Sequence, residues 1–216
     1  MVYTEIMFRK DKSLIIFDCD GVLRSSSWNG LFNAYVSIIQ NIGRDHKDFF
    51  RDLAEFKKWW NPDWKENNKT LGIIDDETNN KIFYGCYEPY VALFPWTMDT
   101  LKRLSRKYTL AMLTNGSSKS AKNSLGETAE YFTLIAGCEH VGKLKPDPEG
   151  INFILKNLNF LPSQAIMIGD MAVDVLAGKN ASIKTGAVNW GLGDWKDLLK
   201  LKPDYKFKRP EDLLHI

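Results

Sequence analysis

The sequence predicts an α/β fold: a parallel sheet wrapped by helices on both faces, interrupted after its first strand by a helical insertion. Short apolar runs of β type alternate with segments of helical periodicity through the second half of the chain, the pattern of strands joined by crossover helices. Two runs, Leu14-Ile15-Ile16-Phe17 and Ala165-Ile166-Met167-Ile168, are apolar at every position, as strands buried on both faces should be. One connection is far longer than a strand-helix-strand unit needs.

Leu14–Phe17 reads as the first strand, and roughly ninety residues separate it from the second, Thr109–Leu113. Most of that interval, residues 25–91, is expected to be a helical cap inserted into a core made of 1–24 and 92–216. The insertion is rich in aromatics: Trp28, Phe32, Tyr35, Phe49, Phe50, Phe56, Trp59, Trp60 and Trp64. Large aromatics supply most of the burial in a small domain, so packing is the expectation, with a substrate-stacking surface as the alternative. Prolines at 89 and 95 close the insertion and restart the chain into a helix at Met98–Lys107. Strands at Leu134–Ala136, Ala165–Ile168 and Thr185–Val188 then alternate with helices at Ala121–Tyr131, Glu149–Leu158 and Met171–Asn180.

At 216 residues the chain can hold one generous domain, or a main domain with a smaller insertion. A formal charge of +2 gives no strong field for nucleic acid or an anionic membrane. No apolar run is long enough to cross a bilayer, and Met1–Lys12 lacks the apolar stretch of a signal peptide. Cys19, Cys86 and Cys138 are odd in number and show no paired spacing, which suits a reducing cytoplasm. The expected partner is a small molecule; monomer and homodimer are both open.

Four short segments carry chemistry at strand ends, the edge where open parallel sheets bind ligands. In Asp18-Cys19-Asp20-Gly21, residues two apart project to one side, so two carboxylates can face one phosphate. Their repulsion separates their proton affinities, leaving one ionised as nucleophile and the other protonated. Thr114-Asn115-Gly116-Ser117 offers a hydroxyl and backbone N–H groups to phosphate oxygens. In Lys143-Leu144-Lys145-Pro146-Asp147-Pro148, the prolines stiffen the chain that carries a lysine toward phosphate. Asp170 and Asp174 lie four apart at a helix start, a pair that could supply the protein ligands of Mg²⁺. Each segment alone also suits an ordinary turn or capped helix.

In this order, the segments resemble the four motifs of the haloacid dehalogenase superfamily of phosphohydrolases. The resemblance implies a Rossmann-like core with a mobile helical cap, and Mg²⁺ as cofactor. It implies that Asp18 attacks phosphorus to form an aspartyl-phosphate, and that Asp20 serves as acid and then base. Thr114 and Lys145, with Asn115 and Gly116, would hold the phosphoryl oxygens, Lys143 being the rival for the lysine role. The metal would rest on the Asp18 carboxylate, the Asp20 backbone carbonyl, Asp170 and Asp174. The Leu-Phe-Pro run before Met98 and Trp190-Gly191-Leu192-Gly193 look like the phosphoglycolate-phosphatase-like branch, which implies a small phosphomonoester such as phosphoglycolate or a sugar phosphate. Two positions depart from the pattern: Arg24 stands near a commonly acidic position, and Trp96 where glycine commonly follows proline. Arg24 would bind a substrate carboxylate, or else form a salt bridge. A phosphomutase, a dehalogenase and a non-catalytic phosphate-binding scaffold are the alternatives. Asp20 argues against the dehalogenase, and the intact motifs argue against the scaffold.

Overall fold

The computed structural model describes residues 13–216; Met1–Lys12, and the reading that it lacks an export signal, lie outside the described residues. The strands in chain order are β1 (Leu14–Phe17), β2 (Thr109–Leu113), β3 (Leu134–Ala136), β4 (Ala165–Gly169), β5 (Lys184–Val188) and β6 (Tyr205–Phe207). They form one sheet in the order β3-β2-β1-β4-β5-β6, and every pairing is parallel. Phe17 of β1 lies in register with Met112 on one side and Ile168 on the other.

Both faces of the sheet are buried, as the uninterrupted apolar runs require. Ile15 and Phe17 belong to one apolar cluster with Met112 and Ile168, while Leu14 and Ile16 belong to another with Leu113 and Met167. Helices α5 (Thr97–Leu104), α6 (Ser118–Leu125), α7 (Glu149–Leu158), α8 (Ala172–Asn180) and α9 (Trp195–Lys200) connect and flank the strands. The strand sequence steps away from β1 in both directions, so the connection order reverses between β1 and β4. Crevices at such a switch point, beyond the carboxyl ends of the strands, are where ligands bind.

Two elements go beyond the sequence expectation, β6 and α9, and two helices end earlier than expected, α5 at Leu104 and α6 at Leu125. Gly126 takes φ +54°, a left-handed value that ends α6 at Leu125, and a 3₁₀ turn occupies Gly126–Tyr131.

Between β1 and α5 lie four more helices, numbered here α1′ (Trp28–Asn41), α2′ (Leu53–Trp59), α3′ (Trp64–Leu71) and α4′ (Glu77–Tyr87). Each starts on a side chain that accepts a backbone N–H of the first turn: Ser27, Asp52, Asp63 and Asp76. Most of the aromatics pack against one another. Phe50 and Phe56 are buried, their ring centroids 5.0 Å apart, and Trp28 and Trp59 pack edge-on or tilted against Phe56. Trp60 meets Trp28 edge-on at 5.2 Å and, with Trp64, also lines a cavity above the sheet. The chain leaves and re-enters the sheet layer side by side: Ser25 N–H donates to the Ala92 carbonyl at 2.7 Å, and Phe94 N–H to the Leu23 carbonyl at 3.2 Å. No helix among the described residues is long and apolar enough to cross a membrane, and the three cysteines are unbonded.

Phe56 has no solvent exposure and touches rings on several sides, so Phe56→Ala should cost about 3–5 kcal/mol. Urea unfolding followed by tryptophan fluorescence measures this; a cost below about 1 kcal/mol would contradict its place at the centre of that cluster.

Candidate active site

The site forms where β1 and β4 end side by side. Asp18 follows β1 directly, and its N–H donates to the Ile168 carbonyl of β4 at 2.9 Å. Asp170 follows β4, and Asp174 lies in the first turn of α8, where Met171 N–H donates to its Oδ2 at 2.9 Å. Asp18, Asp170 and Asp174 are all buried, and each brings a carboxylate oxygen within 4.8 Å of the others. Two glycines make this approach possible. Gly21 takes φ +77°, and a Cβ there would overlap the Asp170 carboxylate; a Cβ at Gly191 would overlap the same side chain. Between Gly191 and Gly193, Leu192 N–H donates to Asp170 Oδ2 at 2.7 Å. The resemblance singles out this glycine segment as a branch marker; the structure packs it against an acidic side chain.

Lys145 reaches the same cluster from the loop before α7. Its Nζ donates to Asp18 Oδ1 at 2.7 Å and to Asp174 Oδ1 at 2.6 Å. Burial separates the two candidate lysines: Lys145 is 4% exposed, whereas the Lys143 side chain is 75% exposed and pairs at 3.7 Å with Asp147. Asn115 secures the backbone of Lys145, accepting from its N–H at 2.8 Å and donating to its carbonyl at 3.1 Å. Thr114, at the end of β2, is buried, and its hydroxyl oxygen accepts from Gly116 N–H at 3.0 Å, leaving the hydroxyl proton to donate.

Asp20 points away from that cluster, toward the inserted helices. Its Oδ1 accepts from Arg24 Nε and from the Tyr87 hydroxyl, each at 2.9 Å, and its Oδ2 accepts from Arg24 Nη2 at 3.2 Å. Arg24 Nη1 donates to both carboxylate oxygens of Glu88, at 3.2 and 3.0 Å, and Ser120 Oγ donates to Glu88 at 2.9 Å. Every nitrogen of the Arg24 guanidinium therefore donates to a carboxylate, the salt-bridging arrangement of the two expected for this residue. Trp96, the other departure, stacks on Phe94 at 5.3 Å and meets Trp190 edge-on at 5.6 Å. The insertion closes on the sheet through further contacts that the sequence did not reveal: Trp64 Nε1 donates to the Asn115 carbonyl at 2.8 Å, and Ser117 N–H to the Tyr84 hydroxyl at 3.2 Å. Nothing local marks Tyr84, Tyr87 or Glu88, because only the packing of the insertion brings them to the site.

The electrostatics follow from burying three carboxylates against one ammonium. Burial pushes the Asp18 carboxyl up to about 7, even though the Lys145 ammonium pulls it down. Burial also holds Asp170 well above its ordinary range, and Asp174 and Asp18 add to it. For Lys145, burial works against the charge, but Asp174 and Asp18 outweigh it and hold the ammonium above its ordinary range. The cluster thus holds more carboxyl groups than its one ammonium can pair, and Asp170 Oδ1 is buried with no hydrogen-bond partner. Hard divalent cations take carboxylate oxygens of this kind, so the residues present fit one.

A family model described as haloacid dehalogenase-like hydrolase matches residues 15–188. The chain belongs to that family. Among its relatives, Pyrophosphatase PpaX from Bacillus velezensis is 37% identical over 122 residues, 56% of each chain. Pyrophosphatase PpaX from Bacillus cereus is 26% identical over 218 residues, 94% of each chain. The matches to the first of these relatives span about half their length or less. A solved structure of a haloacid dehalogenase-like family hydrolase from Streptococcus pneumoniae matches with a TM-score of 0.74 at 27% identity, covering 94% of this chain and 97% of that one.

Removing one partner from a buried charge cluster is costly, whereas an exposed pair contributes little. Lys145→Met should therefore lower stability by about 3–5 kcal/mol, and Lys143→Met should change it by less than about 0.5 kcal/mol. Chemical denaturation of both variants tests this, and comparable losses would contradict the assignment of Lys145 to the cluster.

Proposed function

We propose that this protein is a Mg²⁺-dependent phosphatase that cleaves a phosphomonoester of metabolite size through a phospho-Asp18 intermediate. The observation that carries the proposal is the Lys145 ammonium held between Asp18 and Asp174, beside the unpartnered Asp170 Oδ1. That arrangement suits a phosphoryl group and a cation meeting at one carboxylate. The names of the relatives, which describe hydrolysis of phosphoric bonds, support the same reaction class.

In this reading an Asp18 oxygen attacks phosphorus, forming an acyl phosphate as the bond to the ester oxygen breaks. Asp20 gives a proton to the departing alkoxide, then takes one from the water that hydrolyses the acyl phosphate. Lys145 and the Thr114 hydroxyl hold the phosphoryl oxygens as charge develops on them, with the Gly116 segment beside them. Asn115 fixes Lys145 through its backbone. Asp18, Asp170 and Asp174 would hold Mg²⁺, with the Asp20 carbonyl as the fourth protein ligand that the resemblance implies, and the ion would neutralise charge on the phosphoryl oxygens. Arg24 is a positioning residue: it orients Asp20 and ties it to Glu88. Residues 25–91 act as a cap, moving on the paired strands at 23–25 and 92–94 to admit substrate and exclude water. Three unbonded cysteines are consistent with work in the cytoplasm.

Asp18→Asn should abolish phosphate release while the far-UV circular dichroism stays that of the parent, and EDTA should silence the parent until Mg²⁺ is restored. Phosphate release from a panel of phosphomonoesters measures both. Full turnover in the variant or in EDTA would exclude the mechanism.

A further inference from the structure

The cavity above the carboxylates has a volume of about 330 Å³ and extends into the insertion. That is room for an organic ligand of some size, beyond a phosphate or pyrophosphate ion. Its two ends differ in chemistry. The floor holds Asp18, Thr114, Lys145 and Asp170, while the insertion side presents Leu31, Tyr35, Ile38, Trp60, Ile73 and Phe83.

Charge is just as unevenly placed. Among the described residues, the cations that line the cavity are Lys145 and Arg24. Lys145 is on the floor between Asp18 and Asp174, and each Arg24 nitrogen is bonded to Asp20 or Glu88. The insertion side adds an acid, Asp75. A second phosphoryl group or a carboxylate on the leaving group would enter this end with no uncommitted cation to meet it, which burial strongly disfavours.

One polar atom at that end lacks a partner. Asn79 lines the cavity and is 8% exposed. Its Nδ2 donates to the Ile74 carbonyl at 2.9 Å, which fixes the orientation of the amide, and its Oδ1 is then a buried acceptor without a donor. Buried acceptors are normally satisfied, but this oxygen has almost no accessible surface and is not itself open to the cavity.

We infer that the leaving group is uncharged and carries an aromatic or similarly apolar ring. The inference rests on the phosphatase reading and narrows it, away from phosphoglycolate and pyrophosphate and toward the chemistry of a nucleoside 5′-monophosphate. The aromatic wall would take the base face by stacking and apolar contact.

The test is kcat/KM with Mg²⁺ for adenosine and cytidine 5′-monophosphates against pyrophosphate, phosphoglycolate and glucose 6-phosphate, with p-nitrophenyl phosphate as reference. The nucleotides should exceed each of the other three metabolites by about tenfold or more, a difference equal to one good buried interaction. Highest activity on pyrophosphate, phosphoglycolate or glucose 6-phosphate overturns the inference and leaves the phosphatase reading standing. No activity on any compound, p-nitrophenyl phosphate included, defeats both.

Discussion

The Lys145 ammonium lies between the carboxylates of Asp18 and Asp174, and with Asp170 beside them it sets the terms for everything around the site. Three buried acids repel, and a single lysine cannot balance them. Their positions persist because the scaffold leaves little freedom: β1 and β4 run in parallel register, and the N–H of Asp18 is spent on β4. Gly21 and Gly191 let the backbone close on Asp170 where any side chain would collide. The strands thus convert sheet stability into a fixed cluster of three carboxyl groups around one ammonium, an arrangement that a cation could join by displacing protons from the raised acids.

The same logic links the insertion to the chemistry. Asp20 is held by Arg24 from its own loop and by Tyr87 from α4′, and Arg24 is shared with Glu88 just beyond that helix. Any movement of the insertion away from the sheet must therefore break or stretch the contacts that orient Asp20. Under the proposed mechanism Arg24 would couple closure to the orientation of Asp20, a consequence of its departure from the common motif.

Much of the core was legible in the sequence because its signals are local. Unbroken apolar runs marked β1 and β4, and the residues that follow those runs were carried to one sheet edge by topology alone. β6 escaped because Tyr205-Lys206-Phe207 is only three residues long and lies at the sheet edge, where one cycle of alternation is no signal. α9 escaped because a six-residue helix falls short of two turns. At the site, spacing favoured Lys145 only through its prolines, and burial is what separates it from Lys143. Tyr87, Glu88 and Asn79 were illegible for a different reason: each lies some sixty residues from its partner or faces a cavity that exists only once the insertion has folded over the sheet. The aromatic segment was readable as packing, yet the sequence could not show that Trp60 and Trp64 also line the cavity.

The most direct test of the charge account is calorimetric titration of Mg²⁺ into the protein without substrate, compared with the same titration of Asp170→Asn. If the raised acids of the cluster form the cation site, the parent binds one ion per chain with release of protons from them, and the variant loses most of that affinity. Equal affinity in the two proteins, or binding with no proton release in buffers of differing ionisation enthalpy, would contradict it.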